Sequence, residues 1–391
     1  MQLAYISRYN LYKNSNWNQK LIGRHGTSFY KAQALKAEAD SFIYIDSLEE
    51  NYSWLAKVKR RFYKYLAGQI YFTWAEQKVS RQHALHISQK LAQTKAEIAL
   101  CPDINLIAYL DCSQYLVLWT DSLYQGLIDA YPDFSNLAQE TKQDLREMDR
   151  LALERSQLVI FSSDWAAQTA INYYQTDPHK VKIIPSGANI NCDRTLEDIE
   201  NLVASRSTEK CQLLFLGVDW LRKGGETALQ IAKELHKADL DVELNVVGCQ
   251  VQSEQEIPDY INSLGYIKKS SKSGLAKLNN IIATSHFLIT PSRAETYGNV
   301  LCEANSFGVP CVATKVGGIP TVIREGFNGK AFPLEAEIRE YSNYIYNLFT
   351  NYSQYQELAL SSFGEYQTRL NWTVAGKAAA KLLAEKEVVS S

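Results

Sequence analysis

Long apolar runs are missing from this chain. No stretch of its 391 residues approaches the ~18 uninterrupted apolar residues of a membrane-spanning helix, so we expect none. The opening residues, MQLAYISRYN, have the pattern of a first strand and lack the design of a signal peptide. These features predict a cytoplasmic protein, which would associate with a membrane only through its surface.

Paired cysteines, an excess of charge and dinucleotide-binding glycines are also missing. The seven cysteines are scattered without a Cys-x-x-Cys pair, which favours buried reduced thiols over disulfides. A formal net charge of −2 gives no indication of nucleic acid binding. Because no Gly-x-Gly-x-x-Gly pattern is present, a nicotinamide or flavin cofactor has no support, and we expect no cofactor.

The chain does have the length and the alternation of two α/β domains. Its 391 residues are long for a single core. Short apolar runs alternate with longer helical patterns, which predicts parallel sheets covered by helices, and a polar stretch at residues 187–210 separates two halves. The predicted strands are residues 3–7, 42–45, 106–110, 116–120, 158–162 and 181–184 in the first half, and 213–217, 243–248, 266–267, 286–290, 311–314 and 331–332 in the second.

The most informative segment is residues 291–329, in which Glu295 and Glu303 flank Gly298. Its pattern predicts strand, loop, short helix, loop and strand, with the helix beginning after Gly298 and ending at Gly308. One carboxylate then lies in the loop and the other about one turn into the helix, with unpaired backbone N–H groups between them. Those N–H groups attract a phosphate, and carboxylates accept sugar hydroxyls in pairs. A nucleotide-sugar donor needs both.

A cationic loop follows the predicted strand 213–217. Arg222 and Lys223 precede Gly224 and Gly225, which allow a ligand to approach the backbone closely. Isolated Arg-Lys pairs are commonly solvated surface charges. We favour a diphosphate contact because a strand-to-helix loop of a parallel sheet lies at the ligand-binding edge.

Both segments resemble the retaining glycosyltransferases of family 4, the glycosyl transferases group 1, which have the GT-B fold. FLGVDWLRKGG at residues 215–225, SSDWAA at 162–167 and IIPSGANI at 183–190 look like that family as well. The resemblance runs from about the first strand to near the C-terminus and is more specific in the second half.

The resemblance implies an α/β protein with two doubly wound Rossmann-like domains that face a cleft. Residues 1–190 would form the acceptor-side domain and residues 191–372 the domain for the nucleotide-sugar donor. Residues 373–391 would form a C-terminal helix that crosses back to the first domain.

The resemblance also implies roles for the motif residues. In the family the first acid contacts the donor sugar and the second contacts the nucleotide ribose, which we carry over to Glu295 and Glu303. Lys223 and Arg222 would stabilise the departing diphosphate. The backbone that would face phosphate and sugar belongs to Tyr297, Gly298, Asn299 and Val300.

The first half offers weaker candidates. Relatives place a glycine loop after the first strand, near the donor phosphates, which corresponds to Gly23, Gly26 and Thr27; a plain loop and helix start fits these residues equally well. Asn189 follows the predicted strand 181–184 and would either line the cleft or serve as a turn residue, for which asparagine is well suited.

Two positions depart from the family pattern. Many relatives carry an arginine where this chain has Val218, and Arg222 would substitute for it from further along the loop, with Asp219-Trp220 ordering that loop. Many relatives also carry a histidine near Asp121. The Asp121 carboxylate would either accept a hydrogen bond from a sugar or cap the following helix. His25 is a less favoured replacement.

Two further features suggest a metal site and a membrane-binding surface. Asp239-Leu240-Asp241 matches a metal-binding Asp-x-Asp, but it lies between a helix and a strand at the far edge of the sheet, so we interpret it as a solvated turn and expect no metal. Residues 54–72, WLAKVKRRFYKYLAGQIYF, are basic and aromatic. They suit either an anionic membrane or acceptor lipid, or a helix packed on the first domain with solvated cations, and we favour the packed helix.

The predicted function is transfer of a sugar from a nucleoside-diphosphate sugar to an acceptor hydroxyl, as a retaining, hexosyltransferase-type enzyme. The partners would be that donor and an acceptor that is a saccharide, a lipid, a protein or a small molecule. The alternatives are a catalytically inactive nucleotide-sugar sensor or partner subunit, and an unrelated doubly wound enzyme such as a sugar-nucleotide epimerase.

Overall fold

The computed structural model describes residues 1–9, 11, 22–46, 52–252 and 256–389. The chain divides into two compact units. The first is built mainly from Arg24–Pro185 and also includes the N-terminal strand and the helical residues from Ala375 onward. The second is built mainly from Ser186–Val374.

A parallel sheet of six strands forms the centre of the first unit, in the order β2-β1-β3-β4-β5-β6. Most of its inner strands are continuous apolar runs because a parallel sheet covered by helices is buried on both faces. The strands are β1 Gln2–Ser7, β2 Ser41–Asp46, β3 Ile98–Cys101, β4 Tyr115–Thr120, β5 Leu158–Phe161 and β6 Val181–Ile183.

The second unit has its own parallel six-stranded sheet, in the order β12-β11-β10-β7-β8-β9. Its core is a separate cluster in which Phe215, Phe287 and Leu301 are buried. The strands are β7 Cys211–Leu216, β8 Val242–Val247, β9 Ile261–Gly265, β10 Phe287–Thr290, β11 Cys311–Thr314 and β12 Gly329–Phe332.

Helices connect the strands and cover the sheets, as parallel pairing requires. In the first unit they are α1 Ile22–Glu38, α2 Trp54–Phe62, α3 Gln77–Leu91, α4 Ile104–Ile107, α5 Tyr124–Leu127, α6 Gln139–Arg155 and α7 Asp164–Gln168. Those that follow are α8 Leu196–Ser205, α9 Gly225–Lys237, α10 Lys272–Thr284, α11 Asn299–Asn305, α12 Ile319–Val322, α13 Ile338–Thr350, α14 Tyr352–Thr368 and α15 Trp372–Val389.

Each sheet has a point at which the strand order reverses. In the first sheet β1 lies between β2 and β3, and in the second β7 lies between β10 and β8. The connections from these neighbouring strands leave in opposite directions, which opens a crevice at the carboxyl ends of the strands where ligands bind. The loops after β1 and β3, and those after β7 and β10, are therefore the places to look for a site.

The structure corrects two predicted strands. Residues 106–110 do not form a strand: α4 ends at Ile107, and the strand that pairs with β1 is Ile98–Cys101. A short apolar run does not distinguish a buried strand from a buried helix, which is why the pattern misled. Residues 266–267 follow β9 rather than forming it. The polar sequence INSLG of β9 is a strand because it pairs with β8.

The basic and aromatic segment also differs from expectation. It forms α2, followed by a π-helical turn at Tyr63–Ala67, but Ala56 is its only buried residue across those two elements. Its large apolar side chains are exposed along with its cations. The helix expected there is present and its cations are exposed, but only a small part of it packs on the first unit, and its large apolar side chains do not.

The cysteines follow the expected pattern. All seven are free, and Cys101, Cys211, Cys302 and Cys311 are buried within strands or helices. In the described part of the chain, no helix is both long and apolar enough to cross a membrane.

Candidate functional site

The loops after β7 and β10 meet in the second unit. Lys223, from the first loop, donates a hydrogen bond from Nζ to Oε2 of Glu295 in the second. Each of these side chains is only 9% exposed. Arg222 Nη1 lies 3.7 Å from the same carboxylate oxygen and donates to the carbonyl oxygen of Ala294 at 3.0 Å. Two cations therefore converge on one buried acid at the switch point of the second sheet.

The loop that carries the two cations is held by its own residues. The Asp219 carboxylate accepts the backbone N–H of Arg222 at 3.0 Å and lies 3.5 Å from its guanidinium Nε. Trp220 is 2% exposed and packs its ring against Phe215 of β7. Val218, in contrast, is 45% exposed and does not anchor the loop by burial. Arg222 thus reaches Glu295 from a loop ordered by Asp219 and Trp220.

Two glycines, one after β7 and one after β11, allow their loops to approach the loop after β10 closely. Gly224 has a φ of +74°, and a Cβ there would lie 1.9 Å from the carbonyl oxygen of Pro291. Gly317 has a φ of +51°, and its Cβ would lie 1.8 Å from the carbonyl oxygen of Glu295. No side chain fits at either position, so the site depends on backbone contact between neighbouring loops.

The second acid of the motif has a different partner. Glu303 lies in α11, which begins after Gly298 with its φ of +96°, and is 2% exposed. Its carboxylate accepts a hydrogen bond from Nζ of Lys269 at 2.6 Å. α11 ends at Asn305, and the left-handed Gly308, expected as the last helical position, lies in the turn beyond it.

The charge of Glu295 follows from its partners. Burial by itself raises the pKa of this carboxyl, but Lys223 and Arg222 more than offset it, so the pKa lies below its ordinary value of 4.5. Glu295 is therefore ionised at neutral pH, and it forms a buried, charge-assisted pair with Lys223.

Side chains around Gly298 fix the position of α11. The Tyr297 hydroxyl donates to the carbonyl oxygen of Ser186 at 2.7 Å, and Asn299 Nδ2 donates to that of Gly187 at 3.0 Å. Val300 is half-buried. These side chains hold the helix, which leaves the backbone of this turn as the part that could contact a ligand.

Asn189 is a structural link within the second unit. Its Oδ1 accepts a hydrogen bond from the indole Nε1 of Trp372 at 3.1 Å. Nearby, a Cβ on Gly187 would lie 2.3 Å from the backbone nitrogen of Trp372. Asn189 thus joins the segment after β6 to the start of α15.

The first-half glycines do not lie in a loop. Gly23, Gly26 and Thr27 all belong to α1, which runs from Ile22 to Glu38. The predicted glycine loop is therefore wrong as a structural element: near these residues the chain takes helical geometry despite the low helix propensity of glycine.

Asp121 follows β4 within a group of charged residues. α5 begins at Tyr124 after Leu123, so Asp121 is not its N-cap. The Asp121 charge acts to raise the pKa of Arg24 and of Lys31. Burial has the larger effect on Lys31 and lowers its pKa to about 8. Lys31 Nζ donates to the carbonyl oxygen of Trp119 at 2.7 Å.

Three charged residues that follow strands were not predicted from the sequence. Lys269 pairs with Glu303, and its only signal was the basic run IKKSSK. Arg8, directly after β1, approaches Asp103, after β3: the backbone N–H of Arg8 donates to the carboxylate at 3.3 Å. Neither β1 nor β3 is followed by a recognised motif, so only the sheet order brings this pair together.

The Asp-x-Asp sequence lies in the connection between α9 and β8, at the amino end of that strand. Asp239 has a φ of +58°, as a turn residue does, and Asp241 lies 3.9 Å from Lys210. Among the described residues, no group of three or more His, Cys, Asp or Glu side chains is arranged to hold a metal ion.

Comparison with known structures gives the class of fold. The chain matches a sucrose-phosphate synthase from Thermosynechococcus elongatus over 100% of both chains, with a TM-score of 0.67 and 14% identity. It matches the lipopolysaccharide glycosyltransferase WaaG over 96% of this chain and 98% of that one, with a TM-score of 0.63 and 14% identity. HepE from Anabaena, solved with UDP-glucose, matches over 98% of this chain and 100% of its own, with a TM-score of 0.60 and 16% identity. The fold is that of the GT-B glycosyltransferases.

Comparison of sequences identifies the second unit more specifically. Residues 210–351 match the family described as Glycosyl transferases group 1, and they contain Lys223, Glu295 and Glu303. A D-inositol 3-phosphate glycosyltransferase from Thermobifida fusca is 26% identical over 257 residues, 62% of this chain and 58% of that protein. An uncharacterised 41.2 kDa protein from the cps region of Klebsiella pneumoniae is 26% identical over 46% of this chain and 49% of its own length.

The chain spans about half the length of the curated relatives it matches. The match to the family of glycosyl transferases group 1 thus covers residues 210–351, within a chain that has the GT-B fold.

Proposed function

We propose that this protein is a retaining glycosyltransferase that moves a hexose from a nucleoside-diphosphate sugar to an acceptor hydroxyl. The observation that carries the proposal is the buried contact of Lys223 and Arg222 with Glu295 where β7 and β10 adjoin. Cations for a diphosphate and a carboxylate for a sugar occur there in one place. The family match of the same residues and the UDP-glucose bound by HepE support it.

Binding of the donor would exchange partners at this site. A diphosphate carries more negative charge than one carboxylate and would compete with Glu295 for Lys223 and Arg222. Once released, the Glu295 oxygens are available to accept hydroxyls of the donor sugar. Glu303 would accept the ribose hydroxyls in the same way, while Lys269 holds its position.

The chemical contribution of the cations comes at bond cleavage. The bond from the anomeric carbon to the diphosphate oxygen breaks, and the diphosphate leaves with the electron pair. The acceptor oxygen bonds to the carbon on the same face and gives its proton to the departing diphosphate. Lys223 and Arg222 would offset the charge that develops on the diphosphate, because groups fixed in advance do not have to reorganise. Two cations at this place support the proposal that transfer needs no metal ion.

A thermal-shift screen with UDP, GDP, ADP and their sugars tests the proposal. A ligand that binds only the folded state raises its Tm. We expect one nucleotide family to raise the Tm of the wild type and to have little effect on Glu303→Ala. Glu234→Ala, at a helix acid of the second unit that is 29% exposed and pairs with Lys237, is the matched control and should respond like the wild type.

Turnover then separates an enzyme from a sensor. We expect the donor that shifts the Tm to be consumed with a suitable saccharide or lipid acceptor, also with EDTA present, and NMR of the product to show the donor's anomeric configuration. An inverted product would overturn the retaining mechanism. Absence of a shift with every nucleotide would overturn the donor site itself.

A further inference from the structure

The helix α2 and the π-helical turn after it form an unusual surface on the first unit. Six large apolar side chains there are solvent-exposed: Trp54 by 70%, Leu55 by 55%, Val58 by 49%, Phe62 by 53%, Tyr65 by 73% and Leu66 by 78%. Single exposed apolar side chains are ordinary on a protein surface. A contiguous apolar patch, in contrast, indicates a surface that binds a protein, a membrane or a ligand. We call residues 54–67 the basic aromatic helix.

The helix touches the rest of its unit along a narrow line. Ala56 is 1% exposed, and the Tyr63 ring stacks on that of Tyr71 at 5.2 Å. Lys59 pairs with Glu140 on the same side. The left-handed Gly68 ends the segment at a φ of +63°. The helix is thus anchored to its unit by one face, and the exposed apolar side chains lie on another.

Apolar and cationic side chains occupy separate faces of α2. Trp54, Val58 and Phe62 recur every fourth residue, which aligns them along one side of an α-helix. Lys57 and Arg61 recur with the same interval along the side next to them. This division between an apolar and a basic face is typical of helices that lie in the plane of a bilayer surface.

The basic aromatic helix itself carries charge of only one sign. Lys57, Arg60, Arg61 and Lys64 are exposed, and the sequence contains no acidic residue between Glu50 and Glu76. Among the described residues, Lys59 pairs with Glu140, whereas these four cations are not neutralised by ion pairs. A second copy of the same face would be repelled by its equal charge. An anionic surface would be attracted, and aromatic residues such as Trp54 and Tyr65 are enriched at the bilayer interface.

We propose that the basic aromatic helix is a docking surface for a lipid bilayer that contains anionic headgroups. Its apolar side chains would enter the boundary between headgroups and acyl chains, and its cations would contact lipid phosphates. The proposal concerns association of the whole chain with a membrane surface, and it is independent of the donor site on the second unit.

Vesicle flotation of the full-length protein tests this. We expect binding to vesicles of phosphatidylcholine with about one quarter phosphatidylglycerol, weak binding to pure phosphatidylcholine, and loss of most binding in about 0.5 M salt. Arg60→Glu with Arg61→Glu should lower the partition coefficient at least about tenfold. Trp54→Ser with Phe62→Ser should also lower it about tenfold, with both lipid compositions.

Matched controls exclude general effects of charge and polarity. Lys95→Glu with Lys182→Glu makes the same change of charge at exposed positions elsewhere in the first unit, and Leu85→Ser removes a leucine that is 62% exposed. Both controls should bind vesicles like the wild type. All variants alter exposed side chains, so their circular dichroism melts should match the wild type.

Three outcomes would overturn the proposal. The first is failure of the wild type to float with anionic vesicles. The second is equal vesicle binding by the wild type and by both helix variants. The third is a dimer that the helix substitutions abolish, in the absence of vesicle binding. The nucleotide-induced rise in Tm should be the same in all these variants, so a failure of membrane docking is distinguishable from a failure of the proposed enzyme activity.

Discussion

Glu295 is a carboxylate in a low-polarity setting that keeps its charge because of its neighbours. Its oxygen accepts from Lys223 and lies 3.7 Å from Arg222. Removing water from the acid disfavours its charged form, and the two cations reverse that preference. The proposed donor site rests on this state, because a diphosphate could take over the cations from the acid.

The first residue-scale prediction concerns the Lys223–Glu295 pair. Lys223→Met leaves Glu295 buried with only Arg222 nearby, so we expect a loss of about 3 kcal/mol in the free energy of unfolding, the lower end for a broken buried pair. Adding Glu295→Gln removes the isolated charge and should restore part of that loss. Chemical denaturation of both single variants and the double variant measures the coupling, and strictly additive losses would contradict it.

The second residue-scale prediction concerns how the contribution of Glu295 to stability depends on pH. The folded-state pKa of Glu295 is lowered, so its ionisation stabilises the fold above the unfolded pKa of about 4.5, and this contribution is lost as pH falls through the lower folded value. The difference in unfolding free energy between wild type and Glu295→Gln should therefore be constant near neutrality and shrink below about pH 4.5. A difference that persists in acid would show that Glu295 contributes by packing instead.

At the scale of elements, the loops after β7 and β10 are held together by backbone contact. Gly224, at the start of α9, has its Cα against the carbonyl oxygen of Pro291 in the loop after β10. Gly317, in the loop after β11, has its Cα against the carbonyl oxygen of Glu295 in the same loop. Neither contact leaves room for a side chain. The positions of Lys223 and Glu295 thus depend on two glycines that take no part in chemistry.

Gly224→Ala is the element-scale prediction. Its Cβ would clash with the Pro291 carbonyl at a φ of +74°, so the two loops must separate, and we expect a loss of at least about 2 kcal/mol in stability along with weaker nucleotide binding. Gly364→Ala is the control, because that glycine lies inside α14 with nothing within 4 Å of its Cβ position. It should stabilise the protein by about 0.5–1 kcal/mol. Equal effects of the two alanines would contradict this account.

Elements differed in how well the sequence predicted them. Strands such as β4 and β11 are unbroken apolar runs with turn residues around them, and their prediction is confirmed. α4 and β9 were mispredicted because short segments take the conformation that tertiary contacts favour. The run at 106–110 is apolar but contains only the end of α4 and the turn that follows it, and INSLG is polar but forms a strand beside β8.

At the scale of the whole molecule, two surfaces on different units carry the two proposals. Hydrogen exchange can follow both surfaces in one experiment. We expect the nucleotide that raises the Tm to slow exchange in the loops around residues 217–225 and 295–305, with little change in residues 54–67. Anionic vesicles should give the opposite pattern. Protection of the basic aromatic helix by nucleotide alone would indicate a different use for that surface.

The sequence by itself determined the α/β architecture, and it contains the residues of the proposed donor site close together. Periodicity reports local burial, and Glu295, Gly298 and Glu303 lie so close along the chain that a strand, a loop and a helix suffice to relate them. Lys223 was recognisable because glycines follow a strand at that point.

Only the tertiary structure decided which distant residues meet and which faces remain uncovered. Lys269 and Glu303 are 34 positions apart, Lys223 and Glu295 are 72 apart, and Arg8 and Asp103 are 95 apart. Such pairs depend on the order of strands in a sheet, which no local pattern contains. The exposure of Trp54 and Phe62 could not be predicted from the sequence either. An amphipathic helix has the same pattern whether its apolar face packs on a protein core or remains at the surface.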